Sequence, residues 1–404
     1  MMRAGPSQEE IRRHNLGVLL RHVHLGGPTS RAELTSRMGL NRSTIMALTA
    51  DLTAAGLVRE ELPKETGRAG RPSLVVRPES ARVYVLAFDV GVDRVVAARV
   101  GLGGVILDRR EAVRARGPFD LEELTAQLAG FARQMLRKTR PDTVCVGAGA
   151  AFAGGVRAAD GLVKFGPNLG AADVPFGEEL ARRLGLGLPV SVGNDANLGA
   201  LAEHTRGIGV GCRDLIYLHG DVGIGGGVIV GGQLLSGHAG YGGEVGHMVV
   251  NPGGRRCGCG SRGCLEAEVG ERTVLEAAGR IDDEHVGRDA IREVVDAADR
   301  GDILAQGALM RVGDWLGIGV ANLVNIFNPE IVIFGGMLRD IYLGSAAQVR
   351  SRIATGALAG SRARLRLRTS ALGDDATLVG AAELAFAQVL ADPLEVLARA
   401  GSLS

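Results

Sequence analysis

Three cysteines fall within eight residues of this chain, Cys257-Gly-Cys259-Gly-Ser-Arg-Gly-Cys264, and His247 stands ten positions before the first of them. One imidazole and three thiolates are a complete tetrahedral ligand set for Zn²⁺, and the glycines let a loop fold around an ion without Cβ clashes. Four protein ligands leave no open coordination position, so zinc on His247, Cys257, Cys259 and Cys264 is expected to be structural. The alternative is three buried free thiols. Cys145, in an apolar strand, and Cys212, after Gly-Val-Gly, read as packing or surface residues. An odd total of five cysteines argues against a disulfide framework.

What surrounds this loop is set by patterning. Glycine supplies 62 of the 404 residues, about twice the usual ~7%, which implies many tight turns or places where backbone lies close to a ligand. The length suits about two to three domains. Hydrophobic residues at 46%, charged residues at 23% and a net charge of +1 describe an ordinary globular chain, and 3% aromatics disfavour a base-stacking single-strand binder. No apolar run of about 18 residues occurs and the first residues carry no secretory apolar segment, so a cytoplasmic protein without a membrane partner is expected.

Charge divides the chain. Residues 1–80 hold twelve Lys/Arg and eight Asp/Glu, a net of +4 against −3 for the rest, which points to a polyanion-facing N-terminal module. Ile11, Leu16, Val18, Leu19, Leu20 and Val23 have helical spacing and predict a helix over 8–25, closed by Gly26-Gly27-Pro28. Ser30 and Glu33 form a capping-box pattern for a second helix to about Met38. After Gly39-Leu40, Asn41 caps a third helix with Ile45, Leu48 and Leu52 on one face and Arg42, Ser43, Thr44, Met46, Ala47 and Thr49 on the other. This is the layout of a helix-turn-helix whose last helix enters the DNA major groove, with Arg42, Ser43 and Thr44 as candidate contacts. The residues around Arg59-Glu60-Glu61 and Leu74-Val75-Val76 suit a two-stranded wing. Its loop, Gly67-Arg68-Ala69-Gly70-Arg71-Pro72, offers Arg68 and Arg71 to a minor groove. The bland alternative is a surface helical hairpin with a solvated loop.

Beyond Ser80 strands alternate with helices. Three strands over 83–88, 94–100 and 104–110, a helix over 121–138 and a strand over 143–147 are followed, from Asp214, by a second series with strands over 215–218, 226–230, 233–235 and 331–334. Two similar halves predict a duplicated, two-lobed α/β body with a ligand cleft between the lobes. The apolar helix near 304–327 is either a subunit interface or lobe core. Polar residues gather in glycine-rich loops, at Asn194-Asp195-Ala196-Asn197, Glu244-Val245-Gly246-His247 and Leu265-Glu266. Carboxylates and amides so placed suit a polyhydroxyl ligand, although each taken alone reads equally as a cap or turn residue.

These residues resemble the ROK family (repressor, open reading frame, kinase), in its branch with an N-terminal winged helix-turn-helix. The likeness rests on that module, Asn194-Asp195-Ala196-Asn197, Gly240-Tyr-Gly-Gly-Glu244-Val-Gly-His247, the cysteine loop followed by Leu265-Glu266, Gly166-Pro167-Asn168-Leu169-Gly170, and Asn328-Pro329-Glu330 leading to Gly335-Gly336. It implies an α/β, actin-like (ribonuclease H-like) ATPase-fold body. Residues 1–80 would bind DNA, 81–200 completed by 375–404 would form lobe 1, and 201–374 would form lobe 2 with the zinc loop. It also implies sugar contacts at Asn168, Asn194, Asp195, Glu244, His247 and Glu266, and places Asp195 where kinase members have their catalytic base.

The departures are in the phosphate loops. Family kinases carry Asp-x-Gly-Gly-Thr where this chain has Asp89-Val90-Gly91-Val92-Asp93, and Gly-Thr-Gly where it has Asp221-Val222-Gly223. Each added carboxylate close to a polyphosphate costs roughly 4 kcal/mol at an effective dielectric near 20. Use of ATP is therefore not expected. The reading is a sugar-responsive regulator, a repressor, with double-stranded operator DNA and a small sugar effector as partners, and a homodimer or dimer of dimers to match paired half-sites. The alternative is an ATP-dependent sugar kinase with an appended DNA-binding domain. A zinc sensor is disfavoured because a closed site exchanges its metal poorly.

Overall fold

The computed structural model describes residues 7–63, 73–281 and 286–402. The first helix, α1 (Gln8–Gly26), starts at Ser7, whose hydroxyl accepts the Glu10 N–H while the Glu10 carboxylate accepts the Ser7 N–H, a complete capping box that the sequence reading overlooked. A two-residue strand, β1 (Thr29–Ser30), leads into α2 (Arg31–Met38). Here only half of the expected box forms, because the Glu33 carboxylate turns to Arg37 at 2.6 Å. Gly39, at φ +64°, makes the turn into α3 (Arg42–Ala54), where Asn41 caps the first turn.

Ile45, Leu48 and Leu52 are buried as expected, but Thr49 is buried with them, donating its hydroxyl to the Ile45 carbonyl. Thr49 therefore does not belong to the outer face. Two wing strands, β2 (Val58–Glu61) and β3 (Val75–Pro78), pair antiparallel, and β1 joins them as a third strand in the order β1-β3-β2. Arg68 and Arg71 lie outside the described residues.

Two five-stranded sheets follow. The first contains β4 (Val83–Val90), β5 (Arg94–Gly101) and β6 (Val105–Val113) as an antiparallel meander. After α4 (Leu121–Leu136), β7 (Val144–Phe152) pairs parallel to β4. It runs five residues beyond the expected end, because Gly147 and Gly149 are strand residues lying under a helix backbone. A small antiparallel sheet, β8 (Gly155–Arg157), β9 (Leu162–Gly166) and β10 (Ala171–Val174), interrupts the series. Then come α5 (Phe176–Leu184), β11 (Val190–Asn194), parallel to β7, and α6 (Asp195–Arg206).

The second half repeats the plan. Its sheet opens with β12 (Leu215–Gly220), β13 (Ile224–Val230) and β14 (Gln233–Leu234) as an antiparallel meander. The helices α7 (Leu265–Val269), α8 (Glu271–Ala277), α9 (Arg288–Asp299) and α10 (Ile303–Phe327) precede β15 (Ile331–Gly336). Next stand α11 (Met337–Gly356), α12 (Ala359–Arg362) and β16 (Arg366–Thr369), and β15 and β16 extend the sheet in parallel from β12. The chain closes with α13 (Ala376–Ala391) and α14 (Pro393–Ser402).

The orders β11-β7-β4-β5-β6 and β14-β13-β12-β15-β16 are the same pattern, three antiparallel strands with two parallel additions beside the first. This duplicated ribonuclease H-like, actin-like plan has one exchange: α6, at the end of the first half, packs on β12 and β13 of the second, while α13, at the end of the second, packs on β4 and β7 of the first. Helix α10 is chiefly core, with Leu309, Val312, Leu316, Val320 and Val324 fully or nearly fully buried, while Ile303, Leu304, Met310 and Ile326 are its exposed large hydrophobics. No single helix among the described residues is long and apolar enough to cross a membrane.

The N-terminal module is not strung on a linker. Leu16, Leu19, Leu20, Ile45, Leu52 and Val76 form one continuous buried cluster with Val83, Val85, Leu378 and Phe386 of the body.

Candidate functional site

The cleft lies where the carboxyl ends of β4, β11 and β12 meet the cysteine loop. Asn194 is the N-cap of α6: its carbonyl Oδ1 accepts the Asn197 N–H at 3.0 Å and its Nδ2 donates to the Gly154 carbonyl at 3.0 Å. That double role fixes the first turn of α6, which delivers Asp195 to the cleft, its Oδ1 accepting the Ala196 N–H at 2.7 Å. Asn168 arrives on a short turn over 167–169, and Glu244 and His247 on the turn after β14. Glu266, in the first turn of α7, accepts the Ile224 N–H at 3.1 Å. A Cβ on Gly223 would press on the carboxylate of Glu266 and lie 3.1 Å from the Asn168 amide.

Asn168, Asn194, Asp195, Glu244, His247 and Glu266 line one cavity of about 180 Å³. His219 and Asp221, which sequence reasoning did not single out as site residues, line it as well. Their signal was faint: a lone histidine within the apolar strand 215–220, and the first residue of an altered glycine loop. Burial pushes Asp195 up to about 8, with the charges of Asp89, Asp221 and Glu244 adding to the rise. Asp221 is pushed up to about 6 by burial with help from Asp93 and Asp89, and Glu244 is raised by burial. Burial, with Arg94 and Arg288 nearby, pushes His219 down to about 4. At neutral pH Asp195 therefore holds its proton and offers a hydroxyl both a donor and an acceptor, while His219 is neutral.

A second cavity of about 690 Å³ continues from Asp195, His219 and Asp221. Ion pairs crowd it. Arg116 bridges Asp93 and Glu271 at 2.9 Å each, and Arg288 holds Asp340 at 2.9 Å and also pairs with Asp374. Asp89 is buried and accepts from the Thr377 hydroxyl at 2.7 Å. The added carboxylate of Asp93 is thus matched by Arg116, whereas Asp221 has no such cation in hydrogen-bond contact among the described residues.

The ligand atoms of His247, Cys257, Cys259 and Cys264 lie within 4.8 Å of one another. Cys259 and Cys264 sulfurs are 3.7 Å apart, and the Cys257 sulfur is 3.6 Å from Nδ1 of His247. A tetrahedron with metal–sulfur bonds of ~2.3 Å and metal–nitrogen bonds of ~2.0–2.1 Å has edges of about 3.8 and 3.6 Å, so the four residues fit one ion. All three cysteines are free thiols, with no disulfide between them. The loop is held by the Cys257 N–H on the Ser261 carbonyl and by the Val250 N–H on that of Gly263, at 2.9 and 2.8 Å. Gly263, at φ +71°, abuts the Asn251 carbonyl so closely that no side chain fits.

On the other flank, α3 exposes Arg42, Ser43, Met46 and Ala47. The Ser43 and Thr44 hydroxyls donate to the Asn41 side chain at 2.8 and 2.9 Å, keeping lone pairs free to accept.

Comparison with known proteins bears on both regions. A xylose repressor of Caldicellulosiruptor bescii is 30% identical over 382 residues, covering 90% of this chain and 93% of the repressor. A crystal structure of a ROK family transcriptional regulator, a homologue of the Escherichia coli MLC protein, superposes with a TM-score of 0.79 at 25% identity, covering 96% of this chain and all of that one. A ROK family glucokinase from Streptomyces griseus, solved with glucose and AMPPNP, matches with a TM-score of 0.64 at 28% identity over 75% of this chain and 99% of the kinase. The family match itself spans residues 85–388, so the chain belongs to the ROK family.

Proposed function

We propose that this protein is a sugar-responsive transcriptional repressor. The observation that carries this reading is a winged helix sharing one buried core with a two-lobed body whose cleft is lined by amides, carboxylates and a histidine. The likeness to a xylose repressor over nine-tenths of the chain supports it. Residues 1–80 bind double-stranded operator DNA through Arg42, Ser43 and Thr44, with Arg68 and Arg71 in the wing loop. Residues 81–200 with 375–404, and 201–374, form the two lobes. A sugar or sugar derivative binds Asn168, Asn194, Asp195, Glu244, His247 and Glu266. His247 turns Nδ1 to the cysteines, which leaves Nε2 for a ligand hydroxyl. The bound metal is structural zinc on His247, Cys257, Cys259 and Cys264, as three thiolates and an imidazole prefer. Two half-sites one helical turn apart call for a homodimer or a dimer of dimers.

Sugar phosphorylation is the second reading, favoured by Asp195 in the cleft and by the likeness to a glucokinase. The carboxylates of Asp93 and Asp221 weigh against it, since they line the cavity beside Asp195 in which a nucleotide phosphate would have to sit. A thermal-shift panel of sugars and sugar phosphates, with and without Mg-ATP, separates the two. The repressor reading expects a sugar to raise the unfolding temperature with no further effect of Mg-ATP. An additional shift with Mg-ATP, together with ADP release, would overturn it in favour of the kinase.

A further inference from the structure

Helix α6 begins at the cleft with Asn194 and Asp195 and ends, about 18 Å away at 1.5 Å per residue, at Arg206. Arg206 is one-eighth exposed and donates Nε to Glu383 Oε1 at 2.5 Å and Nη1 to the Gly103 carbonyl at 2.9 Å. Glu383, on α13, also lies 3.1 Å from Nε2 of His24, which is fully buried in α1. Arg206 Nη2 approaches the same His24 nitrogen at 2.7 Å, and the Gly103 N–H donates to His24 Nδ1 at 2.9 Å. One carboxylate and one guanidinium thus tie the end of the cleft helix to the first helix of the DNA-binding module.

The packing along this route contains almost no side-chain cushion. A Cβ on Gly225 would sit 2.8 Å from the Ala196 Cβ, and one on Gly227 would strike Ala200, so β13 bears directly on α6. Gly380 abuts the Leu198 carbonyl, bringing α13 backbone onto α6 backbone, and Gly17 brings α1 within 2.6 Å, measured from a built Cβ, of the Leu390 carbonyl of α13. Elements in backbone contact cannot absorb a shift by rotamer changes; they move together or separate.

We propose that Arg206 and Glu383 are positioning residues that form the joint through which occupancy of the interlobe cavity is passed, along α6 and α13, to α1 of the DNA-binding module. This inference rests on the proposed sugar response. Arg206 and Glu383 are not among the residues that line the cavity and do not belong to α3, so the role proposed for them is one of positioning.

The test is hydrogen exchange of the full chain, read at the α1 amides from Leu16 to His24, with saturating D-xylose or D-glucose as probe and calorimetry reporting sugar affinity. Sugar should change α1 exchange about threefold or more in the wild type. Arg206→Gln and Glu383→Gln should lose that response while sugar affinity stays within about twofold, and Arg206→Lys should keep part of it. A merely structural role would raise α1 exchange in the variants with and without sugar alike, leaving the response intact, and that result would overturn the joint. So would bound sugar with no change in wild-type α1.

A second arm needs no sugar. Gly225→Ala pushes α6 from β13, and Ala200→Ser does so more mildly should the first variant fold poorly. Altered α1 exchange in either, abolished by adding Arg206→Gln, supports the joint even if neither sugar binds and the sugar-response reading fails. Unaltered α1 in both folded variants rejects it.

Discussion

The Ile224 amide donates to Oε2 of Glu266, while Oε1 of the same carboxylate lies 3.7 Å from the Cys257 sulfur. Glu266 therefore joins the glycine loop after β12 to the cysteine loop, and the two are not independent. Stripping the metal, or Cys264→Ser at a fully buried ligand, should weaken sugar binding by about tenfold or more and lower the unfolding temperature by ~5 °C. Calorimetry beside metal analysis checks this. A metal-free protein that binds sugar normally would disprove the link.

Arg42 opens the exposed face of α3. Arg42→Ala should cost about 1–3 kcal/mol of operator affinity, with relaxed preference at one base position. Arg68→Ala with Arg71→Ala should instead weaken all duplexes alike and flatten the slope of log affinity against log salt by about two. Fluorescence anisotropy across a salt series, using an operator selected from genomic fragments, distinguishes the two effects.

The cleft carboxylates set a pH dependence of stability. Asp195, pushed up to about 8, and Asp221, to about 6, bind protons in the folded state that the unfolded chain, with carboxyls near 4, has released. Their contribution is thus complete below pH 4 and is lost as pH rises through 6 and 8. His219, pushed down to about 4, works oppositely and costs stability as pH falls from about 6.5 through 4. Asp195→Asn should remove most of the alkaline loss and raise the unfolding temperature at pH 8.5 by a few degrees, about 2–4 °C per kcal/mol for a domain of this size. Thermal melts of both proteins from pH 5 to 9 test it, and parallel curves would reject the assignment.

Two glycine replacements should have opposite signs. Gly130, in α4, has nothing within 4 Å of a built Cβ, so Gly130→Ala should stabilise by about 0.5–1 kcal/mol. Gly380→Ala drives a methyl into the Leu198 carbonyl and should destabilise by about 2–4 kcal/mol. Urea unfolding measures both.

How far these features were legible in the sequence depended on the range of the interactions behind them. Asn41 capping α3, the thiol cluster and the alternation of strands with helices are written in neighbouring residues, and their limits agree with the structure to within a few positions. Strand β1 was not legible, because two residues become a strand only by pairing with Val75 and Val76 some 46 positions later. The strand was expected to end at Gly147, and Gly149 fell beyond it, because the reason for a glycine there, a helix backbone lying on it, belongs to residues 381–385. The small sheet β8-β9-β10 escaped for a related cause, since its strands are three to five residues long. Within the site, spacing pointed to loops rich in amides and carboxylates, but not to His219, whose apolar neighbours hide that it faces the cleft.

The three-stranded wing sheet has a consequence for the geometry of any operator. Besides β1 on β3, the Arg31 N–H donates to the Leu74 carbonyl, the Ala32 N–H to the Ser73 hydroxyl, and the Arg31 guanidinium grips the Glu60 carboxylate. The described part of the wing is thereby stitched to the start of α2, and through the α2–α3 turn to α3. An operator read by both α3 and the wing is therefore expected to lose affinity when one base pair is inserted between the two contacts, and binding to duplexes with altered spacing measures the loss.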